Sequence, residues 1–193
     1  MIPTDSLKSA RQHNLIRTEI VTTPEQLLHV YAVRAIAFME DTAMPARQAY
    51  DGNDYQATHV IVYAGEEPIG ASRIRWFKDF AKMERTCFRK DWRDPRTIRT
   101  SAEFIFDHIA RKGYDRVITH ASPKLARLWR ALLGFQIVPG KAPMLYEGHE
   151  EPYLEIVKEL TPPQNAISPD TEAAVIARVE GAWDTASEFE ARR

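Results

Sequence analysis

The residues best suited to chemistry form a basic run between positions 82 and 100, KMERTCFRKDWRDPRTIRT. Seven of these residues are Lys or Arg and three are acidic, although the whole chain has a formal net charge of only -1. The run is predicted as a strand, a loop and the first turn of a helix, where backbone N–H groups, the helix dipole and arginines can hold one phosphate. It is therefore either a phosphate site or a solvated turn with ordinary surface charge.

Composition narrows the classes of protein that this chain can be. It has 193 residues, 44% of them hydrophobic and 27% charged, which suits a single well-filled domain. One cysteine excludes an internal disulfide framework, no Cys/His cluster has zinc-ligand spacing, and we expect no bound metal. We expect a cytoplasmic protein with no signal peptide and no membrane span. Near-neutral charge argues against a nucleic-acid surface, so the basic run better matches one small phosphorylated partner.

The elements that must position the basic run begin with a predicted strand over residues 15–21 and a helix that starts at Thr23 and ends near residue 40. Residues 41–56 contain turn-forming pairs and are predicted as an irregular connection beside a site. Three strands then form an antiparallel meander, predicted at residues 58–64, 69–77 and 81–88. On the second of these strands Arg73 and Arg75 share one face, a pattern typical of a cleft or an edge.

After the basic run the chain alternates helices and strands. Apolar residues at helical spacing predict an amphipathic helix through Ile98, Ala102, Ile105 and Ile109. Gly113 should end this helix, and Ser122 should cap a second helix. Short strands are predicted at residues 116–120, 135–138 and 153–160. These elements complete a mixed α/β domain over residues 1–160.

The C-terminal part is predicted as a linker over residues 161–168 and an amphipathic helix over residues 169–193. Trp183 and Phe189 on this helix need a surface to bury them. The helix either packs back on its own domain or contacts a partner, for which a second copy of the chain, in a homodimer, is one possibility.

The order of elements from about residue 30 to residue 138 resembles the GCN5-related N-acyltransferase (GNAT) superfamily. In that family a central strand is followed by a pyrophosphate-binding loop, [Q/R]-x-x-G-x-[G/A], then by a helix, a strand, a helix and Gly-Phe. Here Arg93 opens the loop motif and residues 129–135 read WRALLGF, but Arg96 and Ile98 stand at the two small positions. The resemblance implies a twisted, mostly antiparallel sheet flanked by helices. It also implies an N-acyltransferase with an acyl-CoA donor, acetyl-CoA included, and a small-molecule amine acceptor.

Residues in the front half resemble one branch of the superfamily, the acyl-homoserine-lactone synthases and N-acyl amino acid synthases. The matching pieces are Tyr31-x-x-Arg34-x-x-x-Phe38, the acidic pair Asp51 and Asp54, Gly70-x-x-Arg73, and Glu84-Arg85. That branch also lacks a glycine-rich loop and takes acyl chains from acyl carrier protein. The resemblance therefore leaves either acyl-CoA or acyl carrier protein (ACP) as the donor, and a long acyl chain would need a tunnel between the central strands and the helices.

The resemblance also implies which residues take part in acyl transfer. Glu84 would be the general base, or else a salt-bridge partner of Arg73 or Arg85 that organises the sheet. His120 would be a second proton acceptor, or else a histidine satisfied by capping at Ser122. Both residues are named as catalytic candidates.

Backbone N–H groups around Cys87 and Phe88 would polarise the thioester carbonyl, and Cys87 itself is interpreted as a small buried side chain rather than a nucleophile. The donor would be held by Phe88, Arg89, Arg93, Arg96, Thr97, Ile98, Arg99 and Arg130. Arg130 stands where many members of the family carry a tyrosine that protonates the leaving thiolate.

Arg34 and Arg73 are predicted either to bind the carboxylate of an amino acid acceptor or to close a structural ion-pair network with Asp51 and Asp54. The resemblance assigns Phe38 and Trp76 to the same acceptor site. A different class of function stays open, in which the protein is a non-catalytic, degenerate GNAT-fold module that binds an acyl thioester or a protein.

Overall fold

The computed structural model of the chain describes residues 16–147 and 151–190. Its strands are β1 (Ile16–Ile20), β2 (Thr58–Ala64), β3 (Glu67–Trp76), β4 (Ala81–Phe88), β5 (Arg116–Ala121), β6 (Gln136–Ile137) and β7 (Leu154–Glu159). Its helices are α1 (Pro24–Arg34), α2 (Ala46–Ala49), α3 (Pro95–Arg111), α4 (Pro123–Leu133) and α5 (Ala173–Ile176). A π-helical segment, Ala35–Glu40, continues α1, and 3-10 turns occupy Gly52–Gln56 and Lys90–Trp92. The strands and helices predicted before residue 160 are confirmed with small shifts at their ends.

The strands form one sheet in the order β1-β2-β3-β4-β5-β7-β6. Every neighbouring pair is antiparallel except β4 with β5, which is parallel. This mixed architecture, a mostly antiparallel sheet flanked by helices, confirms the predicted fold class.

Both faces of the sheet are covered by helices. On one face α3 and α4 bury a core that includes Ile105, Ile109 and Phe135. On the other face Val30 and Val33 of α1 pack against the sheet. Because helices cover both faces, the middle strands are buried on both sides, and β2 has five consecutive buried residues.

Three helices begin at a capping residue followed by proline at the first position, and the sequence predicted this start for α1 and α4. Thr23 forms a reciprocal capping box with Gln26 at the start of α1. Asp94 caps α3, and Ser122 caps α4. The start of α3 therefore depends on Asp94, directly beside the basic loop.

The helix predicted over residues 169–193 is wrong for the described part of that range, where the only helix is α5, with four residues. Gly181 has φ of 83°, and a Cβ at this position would lie 2.8 Å from Cγ1 of Ile20. The backbone itself therefore packs against β1 in a conformation that interrupts a helix. We call residues 161–190 the C-terminal strap.

The strap packs on its own domain through Trp183. The indole ring stacks on His108 of α3, with ring centroids 5.2 Å apart and planes 11° apart, and it is 7% exposed. Glu180 accepts a hydrogen bond from Lys112 at 2.8 Å. Packing on its own domain, one of the predicted alternatives, is therefore how the strap buries its tryptophan.

We expect Trp183→Ala to lower the free energy of unfolding by about 3 kcal/mol, because truncating a buried indole leaves a cavity against His108. Chemical denaturation measures this difference. Phe189→Ala is the matched control, since that ring is 92% exposed and its loss should change little. Equal stability of the two variants would show that the strap contributes nothing through Trp183.

Candidate functional site

The parallel strands β4 and β5 separate soon after they begin. Ala81 pairs with Val117 and Lys82 pairs with Ile118, and the strands diverge beyond these pairs. A cavity of about 350 Å³ opens in the gap, a volume typical of small-molecule sites. The residues of β4 and β5 that line the cavity are Lys82, Met83, Glu84, Arg85, Thr86, Thr119, His120 and Ala121. A small molecule can therefore lie between the two central strands.

Three other segments complete the walls of this cavity, which we call the strand cavity. They contribute Phe38, Met44, Arg47, Gln48, Leu125, Trp129, Tyr146 and Tyr153. Tyr146 and Tyr153 meet edge to face, with ring centroids 4.9 Å apart. Apart from Phe38, sequence reasoning missed these residues, because no common spacing joins segments so far apart in the chain.

A β-bulge reshapes β4 at the cavity. Ser72 of β3 faces two residues of β4, Arg85 and Thr86. Arg85 has φ of 53°, a left-handed conformation that is rare for a side chain of this size. Consecutive residues of a regular strand point to opposite faces, yet Glu84 and Arg85 both join the same set of ion pairs. The bulge therefore turns two charged side chains to one side.

Beside the cavity lies a buried network of arginines and acids. Arg34 Nη1 is 2.7 Å from Asp54 Oδ1. Arg73 Nη1 is 2.7 Å from Asp51 Oδ1 and 2.8 Å from Asp54 Oδ1, and Arg73 also pairs with Glu84. Both arginines are 1% exposed. Burial of these charges is tolerated because each has an opposite charge and hydrogen bonds.

Of the two roles predicted for Arg34 and Arg73, the structure has the ion-pair network with Asp51 and Asp54. Arg34 also donates to the backbone carbonyl of Ala49. Neither arginine lines the strand cavity. The predicted role as acceptor-binding residues is therefore corrected, because a buried arginine that left its acid for a substrate would leave that acid uncompensated.

Glu84 lies on the cavity wall but is surrounded by cations. Its Oε1 is 2.7 Å from Lys82 Nζ, and its Oε2 accepts a hydrogen bond from Arg73 Nε at 3.1 Å. Burial alone would raise the pKa of Glu84, but the hydrogen bonds from Lys82 and Arg73 outweigh it and hold the pKa below its usual range. Glu84 is therefore ionised and a weak base. The salt bridge predicted as its alternative role is formed with Arg73 and not with Arg85.

His120 also lines the cavity, from the β5 side. Burial lowers its pKa, and the charge of Lys82 lowers it further, so the ring is neutral at neutral pH. Its Nε2 lies 3.6 Å from Oε2 of Glu155. Ser122 instead accepts from the backbone N–H of Leu125, so the predicted capping alternative does not form. A neutral imidazole beside a carboxylate is the arrangement of a general base.

Cys87 does not have the properties of a nucleophile. Its side chain is buried, and burial raises the pKa of the thiol to about 12. The sulfur therefore stays protonated at neutral pH, and the structure gives Cys87 the packing role that the sequence favoured.

The backbone N–H of Phe88 faces the gap between β4 and β5. The N–H of Arg89 donates to the carbonyl of Ile69 on β3 at 2.8 Å. In an antiparallel ladder the direction of these groups alternates, so the N–H of Phe88 faces away from β3, toward the gap, and that of Cys87 does not. The Phe88 ring packs on Gly70, where a Cβ would lie 2.5 Å from the ring. Of the two predicted amides, only that of Phe88 is placed to polarise a carbonyl.

The N-terminus of α3 differs from the predicted phosphate cradle. Asp94 Oδ1 accepts hydrogen bonds from the N–H groups of Arg96 and Thr97, both at 3.0 Å. The N–H of Ile98 donates to the backbone carbonyl of Asp94 at 3.1 Å. The amides of Thr97 and Ile98 are thus already used within the helix, which corrects their prediction as phosphate ligands in this conformation.

The predicted donor-binding arginines divide into two groups. Arg89 pairs with Glu67, and Arg93 pairs with Asp41 while its Nε donates to the Phe88 carbonyl at 2.8 Å. The second group is exposed and has no ion-pair partner among residues 16–147 and 151–190; its members are Arg96, Arg99 and Arg130. Only this second group offers unoccupied guanidinium groups to a phosphate.

The two aromatic residues predicted for the acceptor have different positions. Phe38 lines the strand cavity, carried there by the π-helical segment. Trp76 does not line it; its Nε1 donates to Thr58 Oγ1 at 2.9 Å, and its ring packs beside Tyr114. The acceptor role of Trp76 is corrected, because its ring belongs to the packing between the sheet and α3.

Residues 16–147 and 151–190 hold no group of three or more His, Cys, Asp or Glu side chains arranged to bind a metal ion. None of the helices in this part of the chain has the length and apolar character required to cross a membrane.

No protein-family model matches the chain. A similar sequence is the Bacillus subtilis protein YjcF, named an uncharacterized N-acetyltransferase, which is 33% identical over 78 residues. This match covers 40% of the present chain and 56% of YjcF, so the chain spans little more than half of that relative.

Solved structures match over a larger part of the chain. A candidate N-acetyltransferase from Lactobacillus plantarum has a TM-score of 0.68 with 21% identity, covering 76% of this chain and 99% of that one. A GNAT acetyltransferase from Elizabethkingia anophelis, solved with acetyl-CoA bound, has a TM-score of 0.54 with 13% identity, covering 76% and 99%. The topology, the diverging central strands and these neighbours together show that the chain has the fold of the GNAT N-acetyltransferase superfamily.

Proposed function

We propose that this protein is an N-acyltransferase that moves an acyl group from an acyl-CoA thioester to an amine held in the strand cavity. The observation that carries the proposal is the gap between β4 and β5, where neutral His120 lines the cavity and the backbone N–H of Phe88, farther along β4, faces away from β3. The N-acetyltransferase name of YjcF and the acetyl-CoA bound to the Elizabethkingia protein support it.

His120 is the proposed general base. The amine attacks as its neutral form, and its nitrogen must lose a further proton as the amide forms. His120 accepts that proton, and Glu155 beside it stabilises the resulting imidazolium. Glu84 is a weaker candidate because its cationic neighbours hold its pKa down, so we assign it the role of keeping Lys82 and Arg73 in place.

The new carbon–nitrogen bond forms as the thioester carbonyl oxygen gains negative charge. The N–H of Phe88 donates a hydrogen bond to that oxygen, and this bond strengthens as the charge develops. The carbon–sulfur bond then breaks, CoA leaves as a thiolate, and the proton held by His120 returns to the sulfur. The net products are an amide and free CoA.

The acyl group that fits best is short. Behind the strand cavity, the space between the sheet and α3 is lined by Phe88, Ile98 and Ile105 and measures about 10 Å³. A space of that size holds about one water molecule, and a long acyl chain needs far more. We therefore propose acetyl-CoA as the first donor to test, with its phosphates held by Arg96, Arg99 and Arg130. An ACP donor and a homodimer remain predictions from the sequence.

The proposal is tested with purified protein, a panel of amines, and three donors: acetyl-CoA, a long-chain acyl-CoA and an acylated carrier protein. Thiol release and the product mass are measured together. Transfer from acetyl-CoA is the expected result. Transfer from the acylated carrier protein and from neither acyl-CoA would show that the donor is the one that acyl-homoserine-lactone synthases use. Donor binding without transfer to any amine would overturn catalysis in favour of a binding module.

The charge of Asp94 should weaken the binding of CoA, because its carboxylate occupies the helix N-terminus where a phosphate would lie. Asn caps helices about as well as Asp, so Asp94→Asn removes the charge and keeps the cap. We expect the Kd for CoA to fall about two- to fivefold, the usual size of a single charge effect at a helix end. Isothermal titration calorimetry measures it.

Asp107→Asn, an exposed acid far from the N-terminus of the same helix, is the control and should leave the Kd unchanged. An unchanged Kd in Asp94→Asn as well would place the phosphates away from the start of α3.

A further inference from the structure

Arg85 is a cationic residue of the strand cavity with spare hydrogen-bonding capacity. Its Nη2 lies 3.0 Å from Oδ2 of Asp51. Within residues 16–147 and 151–190, neither its Nη1 nor its buried Nε has a hydrogen-bond partner. A carboxylate in the cavity cannot reach the buried Nε, but Nη1 and the second hydrogen of Nη2 can donate two parallel hydrogen bonds to it.

Arg85 reaches the cavity wall through an unfavourable backbone conformation. Its φ of 53° lies in the left-handed region, and it sits in the bulge that turns it toward the same side as Glu84. A non-glycine residue in this region is strained, and the surrounding sheet must offset that strain. Such strain concentrates at binding sites, because a regular strand would point the side chain elsewhere.

The charges on the cavity wall favour an anion. Arg47, Lys82 and Arg85 carry positive charge, and the one carboxylate among the described lining residues is Glu84. Glu84 is already bound to Lys82 and Arg73. His120 is neutral at neutral pH. Arg47 pairs with Glu147. Four cations of the connected network, Arg34, Arg73, Lys82 and Arg85, outnumber its three acids, Asp51, Asp54 and Glu84, by one charge.

The remaining walls favour an apolar body. Phe38, Met44, Leu125 and Trp129 line the cavity together with two tyrosine rings. A volume of about 350 Å³ accommodates a molecule the size of a large amino acid beside a short acyl group. The polar groups from β4 and the apolar groups from α4 and the π-helical segment thus form two different surfaces for one ligand.

We propose that Arg85 binds a carboxylate of the acceptor, so that the acceptor is an amine that also carries a carboxylate and an apolar body. This inference rests on the proposed acyl transfer to an amine in the same cavity. It gives to Arg85 one of the two roles that the sequence left open for Arg34 and Arg73. Asp51 does not cancel the charge of Arg85, because both oxygens of that carboxylate also accept hydrogen bonds from Arg73.

The test compares three acceptors that differ only at the carboxylate: L-phenylalanine, L-phenylalaninamide and 2-phenylethylamine, together with the other L-amino acids and their amides. With acetyl-CoA as donor, the wild-type protein should have a kcat/KM at least about tenfold higher for acids than for their amides. Arg85→Gln should raise KM for the acids about 10- to 100-fold and change KM for the amides less than about threefold.

Arg85→Lys keeps the charge but loses the planar pair of donors, so it should recover part of the preference for acids. Arg116→Gln, an exposed arginine outside the cavity, is the control. Thermal unfolding of each variant separates a binding defect from a folding defect. Equal use of acids and amides by the wild type, or an equal loss for both in Arg85→Gln, would overturn the inference while leaving acyl transfer intact.

A second readout does not need turnover. Binding of N-acetyl-L-phenylalanine and of its amide is measured by calorimetry with wild type and Arg85→Gln. If no amine is acylated, the proposed function fails, yet a preference for the acid that disappears in Arg85→Gln would still support the carboxylate site. No preference in the wild type would overturn it.

Discussion

Arg73→Met should lower the free energy of unfolding by about 4 kcal/mol, because it leaves three acids of a buried network without their shared cation. Arg73 contacts Asp51, Asp54 and Glu84 and is 1% exposed. For a chain of this length the melting temperature should fall by roughly 10 °C. Chemical denaturation and calorimetry measure the two quantities.

The control is Arg116→Met, which removes one arginine from an exposed pair with Asp115 and should leave stability unchanged. A loss below about 1 kcal/mol in Arg73→Met would mean that desolvation cancels the benefit of the network.

The same network predicts how stability depends on pH. The pKa values of Asp51, Asp54 and Glu84 are lowered in the folded protein, since arginine and lysine hydrogen bonds outweigh the effect of burial. Their contribution is therefore complete above about pH 4, the ordinary carboxyl range, and is lost as the pH falls below it. Arg73→Met should show a smaller loss of stability between pH 7 and pH 3 than the wild type. Without Arg73, folding lowers the pKa values of these acids less, so their protonation costs less stability.

His120→Gln should reduce kcat about 10²- to 10⁴-fold, the usual contribution of a positioned general base. Glutamine keeps the size and polarity of the side chain but cannot accept the proton of the attacking amine. KM for acetyl-CoA should change little, because His120 lies on the acceptor side of the gap. Steady-state kinetics with saturating amine measure both constants.

The pH profile identifies the base. Burial and Lys82 lower the pKa of His120, so the wild-type rate should fall only as the pH drops below the usual histidine range near 6.5. In His120→Gln this decrease of the rate at low pH, the acid limb of the profile, should disappear. His29→Gln is the control, a partly buried histidine hydrogen-bonded to Tyr63 away from the cavity. If Glu84→Gln removes the acid limb and His120→Gln retains it, the base is Glu84.

Local signals in the sequence were sufficient to predict most of the fold. Capping residues followed by proline mark the starts of two helices, at Thr23 and Ser122, and both are observed. A β-branched run marks β2, and both β2 and β4 have the predicted bounds. The C-terminal strap was not predictable in this way, because the contact of Gly181 with Ile20 joins residues at opposite ends of the chain.

The candidate site was less predictable because its geometry depends on pairing between strands. Spacing alone placed Arg73 and Arg75 on one face of a strand, at a cleft or an edge, but could not say whether Arg73 would bind a substrate or Asp51 and Asp54. The role of Arg85 depends on one extra residue in β4, which becomes visible only when the register with β3 is known. Residues 82–86 of the basic run line the cavity, and the bulge turns Glu84 and Arg85 of this run to one side.

The strand cavity has walls of two kinds, and they differ in how freely they can change. One wall is the sheet, where replacing a charged residue disturbs a closed set of ion pairs. Another part of the lining comes from Met44 and Tyr146, in connections, and from Gln48 of the short helix α2, and none of the three belongs to a core cluster. New acceptors can therefore be accommodated through substitutions in these connections at little cost to folding, so an engineered library aimed at a different acceptor should vary them and leave β3 and β4 intact.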